Sequence, residues 1–174
     1  MPRHILKYTW WFLLAFTLMV GAVIAIIDEG IRTSAAALGI VSFELCAYTH
    51  TCADILRSWD TQATKLATLS LGVDYLFMLL YPAAIFVSLW VMLPLLGPKM
   101  QTVTRWVAWS SWGMAITDAL ENYFLTQMVL TESVYGLAWP AAIFASIKFF
   151  ILAITLGWLL VTWLVYAFLR PSRA

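Results

Sequence analysis

Charge is what this sequence has least of. Asp, Glu, Lys and Arg make up 11% of its 174 residues and hydrophobic residues 63%, with mean hydropathy +0.88, whereas soluble domains are about a quarter charged. That scarcity excludes an ordinary soluble domain and indicates an integral membrane protein. The few basic residues form no run and the net charge is +1, so the clustered Lys and Arg that hold nucleic acid are missing. Cysteine is nearly absent too. Cys46 and Cys52 are the only two, separated by the five residues AYTHT, and a C-x-x-C redox pair does not occur. There is no low-complexity linker and no internal repeat, so 1–174 reads as a single transmembrane domain.

What is present is apolar length. Crossing a hydrocarbon core takes about 20 helical residues, and four segments qualify, at about 8–27, 67–96, 106–130 and 138–169. The first follows the basic MPRHILK, yet its apolar run exceeds the usual length of a secretory signal. It is read as a spanning helix. Ten Trp, seven Tyr and ten Phe suit the headgroup boundary, where rings with a polar edge are favoured.

Basic residues set the orientation. Arg3 and Lys7 precede the first span, Lys99 and Arg105 lie between the second and third, and Arg170 and Arg173 follow the fourth. Both termini are therefore placed in the cytoplasm of a bacterial inner membrane. Short connections at 97–105 and 131–137 then make an all-α, up-and-down four-transmembrane-helix bundle. Gly97 and Pro98 read as the stop of the second helix, Pro140 as a first-turn proline, and Pro82 as an interior kink. Small residues at four-residue spacing, Ser111, Ala115 and Ala119 with Ala141 and Ala145, mark close helix approach.

The long extracytoplasmic loop at about 28–65 is partly helical by the same logic. Thr51 and Asp54 have the spacing of a helix-start cap, and Ile55, Leu56 and Trp59 fall on one face. The loop is expected to cap the outer end of the bundle. A disulfide between Cys46 and Cys52 suits an oxidising compartment, and a metal held by Cys46, His50 and Cys52 is the weaker alternative.

The polar residues within the spans carry the functional argument. In TDALENYF, Asp118, Glu121 and Asn122 stand at i, i+3 and i+4 and share a helix face. The second span carries Asp74, with Ser70 a turn before it and Tyr81 and Ser88 following at seven-residue steps. The fourth carries Lys148, then Thr155 and Thr162. At about 1.5 Å per residue, Asp74 lies roughly 10–12 Å, and Asp118, Glu121 and Lys148 roughly 13–18 Å, below the outer helix ends. Ionisable residues at one depth face the bundle interior and pair. Three acids exceed one lysine, so either a carboxyl is protonated or another cation joins. Arg32 and Arg57 from the loop are candidates to reach down, and Asp28, Glu29 and Glu44 add acid near the mouth.

The stretches LGIVSFEL, ILRSWD, LSLGVDYLF and DALENYF followed by KFF resemble a family of small bacterial four-helix membrane proteins. The resemblance implies topology and no activity. Three functions remain. The first is binding or acid/base transformation of an isoprenoid- or lipid-like molecule, with Asp118 and Glu121 as acid and base, Asp74 perturbing them and Lys148 positioning; Asn122, Tyr81, Ser70, Arg32, Arg57 and Glu44 would contact the ligand. The second is a small proton- or ion-coupled transporter, whose path should be polar from end to end. The third is a non-catalytic subunit of a homo-oligomer or larger membrane assembly, whose polar site is structural. Beyond the lipid bilayer and a lipophilic ligand, the sequence names no partner or cofactor.

Overall fold

The computed structural model describes residues 3–169, and among them it is all helical. Four long helices dominate: α1 (Arg3–Glu29), α5 (Thr61–Met92), α6 (Pro98–Thr131) and α7 (Ala138–Leu169). Between α1 and α5 lie three short helices, α2 (Ile40–Glu44), α3 (Cys46–Thr49) and α4 (Cys52–Ser58). Arg170 and Arg173, used above to orient the chain, lie outside the described residues.

Three helices are long and apolar enough to cross a membrane, over His4–Glu29, Thr61–Leu95 and Ala138–Phe168. The third expected span is not among them. α6 has the length, but Lys99, Arg105, Asp118 and Glu121 and its many hydroxyls lower its hydropathy. Neighbours in sequence are neighbours in space: α1 packs along α5, α5 along α6 and α6 along α7, while α1 makes little contact with α7.

Helix starts differ from the sequence expectation for identifiable reasons. α5 begins at Thr61, six residues early, because the Asp60 carboxylate accepts from the Ala63 N–H at 2.7 Å and caps it. Gly97 and Pro98 open α6 instead of closing α5, with Pro98 at a first-turn position whose N–H needs no partner. α5 itself ends at Met92 in a single 3-10 turn, Leu93–Leu95. It continues through Pro82 as α-helix, and the Pro82 carbonyl accepts from Ser111 on α6 at 3.2 Å. Thr51 does precede α4, but its hydroxyl pairs with Thr49 at 2.7 Å and makes no capping bond.

Two apolar clusters lie along the helices. At the loop end, Phe43, Ile55 and Trp59 meet Leu71, Leu125, Met128 and Ala142. Trp59 Nε1 donates to the Ile31 carbonyl at 2.8 Å, so the α4 face turns into the core. Cys46 and Cys52 are bonded, closing the α3–α4 turn, which removes both thiols from the metal alternative. Towards the far end, Met78, Tyr81, Ile85 and Leu89 meet Ala108 and Met114.

Candidate functional site

The polar side chains lie between those two clusters. In sequence Asp74 falls between Leu71 of one and Met78 of the other, and Asp118, Glu121 and Asn122 between Met114 and Leu125. The 3.6-residue period fixes their common direction: all three α6 residues are buried, at 1%, 0% and 0% exposure, while Tyr123 and Leu120 beside them are exposed.

Lys148 of α7 is the hub. Its Nζ lies 2.8 Å from Glu121 Oε2, 3.1 Å from Asp118 Oδ1 and 3.4 Å from Glu44 Oε1. An ammonium has three N–H donors. Three acids from two elements, α2 and α6, surround it, with Asp118 and Glu44 as hydrogen-bond acceptors and Glu121 as the shortest ion pair. Asp118 accepts additionally from the Tyr81 hydroxyl at 3.0 Å, through Oδ2. Asp74 stands apart from the ammonium and accepts from Asn122 Nδ2 at 2.6 Å.

The arrangement leaves acceptors over. Glu44 Oε2, both carboxyl oxygens of Glu121 and Asn122 Oδ1 are buried without a hydrogen-bond partner among the described residues, the Glu121 contact with Lys148 being an ion pair. Burial pushes the Glu44 carboxyl above the usual carboxylate range, against the opposing pull of Lys148. Three carboxyls thus surround one ammonium, with a fourth, Asp74, beside them.

A cavity of about 470 Å³ opens beside this cluster. Glu44, Asp74, Asp118, Tyr81 and Lys148 line its polar part; α1 contributes Leu14, Thr17, Gly21 and Ile24, and α7 contributes Phe149, Leu152, Leu156 and Leu159. It occupies the space where α1 and α7 stand apart. Glu121 is not among the lining residues, being on the closed side of Lys148. A second void of about 20 Å³, of water-molecule size, lies among Ser70, Asp74, Asn122 and Glu44.

The sequence-derived residues fall into two groups. Asp74, Asp118, Glu121, Lys148, Asn122, Tyr81, Ser70 and Glu44 come together. Arg32 and Arg57 do not reach down: Arg32 pairs with Asp28 at 3.4 Å and Arg57 with Asp54 at 3.6 Å, both with largely exposed side chains. Asp28 is also away from the cluster, because its Oδ1 accepts from the Ile40 N–H at 2.6 Å. Of the hydroxyls continuing the stripes, Thr155 and Thr162 bond carbonyls of their own helix, and Ser88 bonds the Ala84 carbonyl and accepts from Trp10. Sequence reasoning missed Thr17, an α1 hydroxyl buried without a partner and lining the cavity. A lone Thr in an apolar run gave no signal for it.

Comparison with protein-family models, with curated proteins and with solved structures finds no match for this chain.

Proposed function

We propose that this is a multi-pass membrane protein that takes a lipophilic small molecule into the cavity between α1, α5 and α7, its polar end against the Lys148 cluster. The observation that carries the reading is the cavity's composition: apolar walls from three helices converging on buried carboxyls, the general form of a small-molecule site. The chemistry open to such a site is proton transfer. Asp118, held by Tyr81 and Lys148, Glu44 and Asp74 are the acids that reach the cavity, while Glu121 acts from behind by fixing Lys148.

In this reading all four long helices cross the bilayer, with both termini cytoplasmic in a bacterial inner membrane. α6 supports it by being polar inside and apolar outside: Trp106, Trp109, Ile116 and Leu130 are exposed while its acids are buried. Ser88, Thr155 and Thr162 bond carbonyls of their own helices, Ser111 and Thr104 are engaged with neighbouring helices, and the cavity walls there are apolar, which favours a ligand pocket over an ion path. A second reading has its own observation. Lys148 joins α2, α6 and α7, so the cluster is also suited to be a clasp that fixes assembly.

Native mass spectrometry with lipid extraction separates them, applied to wild type and to Asp118→Asn. A lipophilic molecule bound by wild type and lost from a folded variant supports the pocket. Only bulk phospholipid in both, with a variant that falls apart, leaves the clasp.

A further inference from the structure

Which head group the cavity accepts depends on what its polar residues still have to offer. Lys148 Nζ donates to Asp118 and Glu44 and is ion-paired with Glu121 at 2.8 Å, and the single Tyr81 proton is given to Asp118. Both are already held among carboxyls. Acceptors, by contrast, remain. Glu44 lines the cavity, is 7% exposed and has Oε2 without a partner. Asp74 also lines the cavity and makes no ion pair among the described residues, its carboxylate held only by the Asn122 amide. Arg32 and Arg57, the cations that could have balanced these acids from the loop, are engaged at the surface.

The apolar part of the site is longer than the cavity already described. A neighbouring cavity of about 520 Å³ shares Ser88, Leu156 and Leu159 with it and extends to Trp10 and Trp163. From Lys148 to Trp163 the α7 wall covers 15 residues, about 22 Å at 1.5 Å per residue. That exceeds half of a hydrocarbon core about 30 Å thick. The two cavities thus form a groove along α1, α5 and α7 with acid at one end and no charged side chain lining it beyond Ser88.

We infer that the ligand is a long-chain amphiphile with a cationic amine head, the ammonium seated between Glu44 and Asp74 and the chain lying along α7. The inference rests on the ligand-binding reading above and names the ligand's class. An ammonium supplies the donors the acceptors lack and a second cation to a site where carboxyls outnumber ammonium groups. A carboxylate or phosphate head would instead be placed among carboxyls, with the neutral Thr17 hydroxyl as the unpartnered donor on the cavity wall.

The test uses three probes with one tail: radiolabelled hexadecylamine, hexadecanol and hexadecanoate. Each is titrated against the full chain in phosphatidylcholine nanodiscs, with protein-free nanodiscs subtracted. The expected result is amine binding at least tenfold tighter than alcohol, hexadecanoate weakest, and an amine-to-alcohol ratio that falls towards one in Asp74→Asn. Asp74 is chosen because it is not a partner of Lys148, and the wild-type ratio decides the matter even where the variant does not fold. Alcohol binding as tight as amine overturns the cationic head while leaving the lipophilic pocket standing. Hexadecanoate binding tightest also overturns it and makes Lys148 the receiving group. Binding of none of the three overturns both the inference and the reading beneath it.

Discussion

The two halves of the molecule treat their apolar surface in opposite ways. At the loop end, three short helices, a disulfide and the Trp59–Ile31 hydrogen bond close the core over Leu125, Met128 and Ala142. In the far half no such cover exists among the described residues, and α1 and α7 stand apart around a groove. The Lys148 cluster sits at the border. Its burial is therefore complete on the Glu121 side and incomplete on the Asp74 side, which is half-buried. The cluster therefore meets apolar space along the helices, not the face covered by the loop.

Breaking the border should have the largest effect. Lys148→Met leaves Asp118, Glu121 and Glu44 without their shared counter-charge, and removing one partner of a buried ion pair costs about 3–5 kcal/mol. Unfolding of the protein in nanodiscs should register that loss; a variant as stable as wild type would mean the acids are already neutral. Opening the closed half comes next. Replacing Cys46 and Cys52 together by Ser frees a short loop, worth about 2 kcal/mol, and should leave ligand occupancy in the groove unchanged.

The open half is sharpened by filling it. Ala84 lines the cavity, so Ala84→Trp should lower occupancy by a bound lipophile about tenfold, or roughly 1.4 kcal/mol, with little change in melting temperature because the added ring occupies existing space. An unchanged occupancy would place the ligand elsewhere. The smallest effect is local to the loop end: Asp60→Ala removes the α5 cap for about 1 kcal/mol, measurable as lowered stability with no change in bound ligand.

Much of the polar site was legible because helical spacing is a geometric constraint. Asp118, Glu121 and Asn122 had to share a face, and equal depth brought Asp74 and Lys148 to them. Glu44 was harder to place, since it arrives on a five-residue helix whose direction is set by tertiary contacts. Arg32 and Arg57 were expected below the loop, but each had a carboxylate one helical turn away that costs no burial. The α5 and α6 starts were read late because TQATKLAT and PKMQTVTR are polar, and helix was equated with apolar length. The groove had no sequence signature at all. It arises from how far α1 leans from α7, and no local pattern in either helix encodes that distance.

Asp28 gives the loop a mechanical meaning. Its carboxylate holds the Ile40 N–H, and Gly39, with φ at 58°, leaves room where any Cβ would strike that carboxylate. α2, with Glu44 at its last position, is thereby suspended from the end of α1. The acid that completes the shell around Lys148 is tethered to the one long helix that α7 scarcely touches. Where Glu44 stands beside the lysine is therefore set from α1, the helix that also walls the groove.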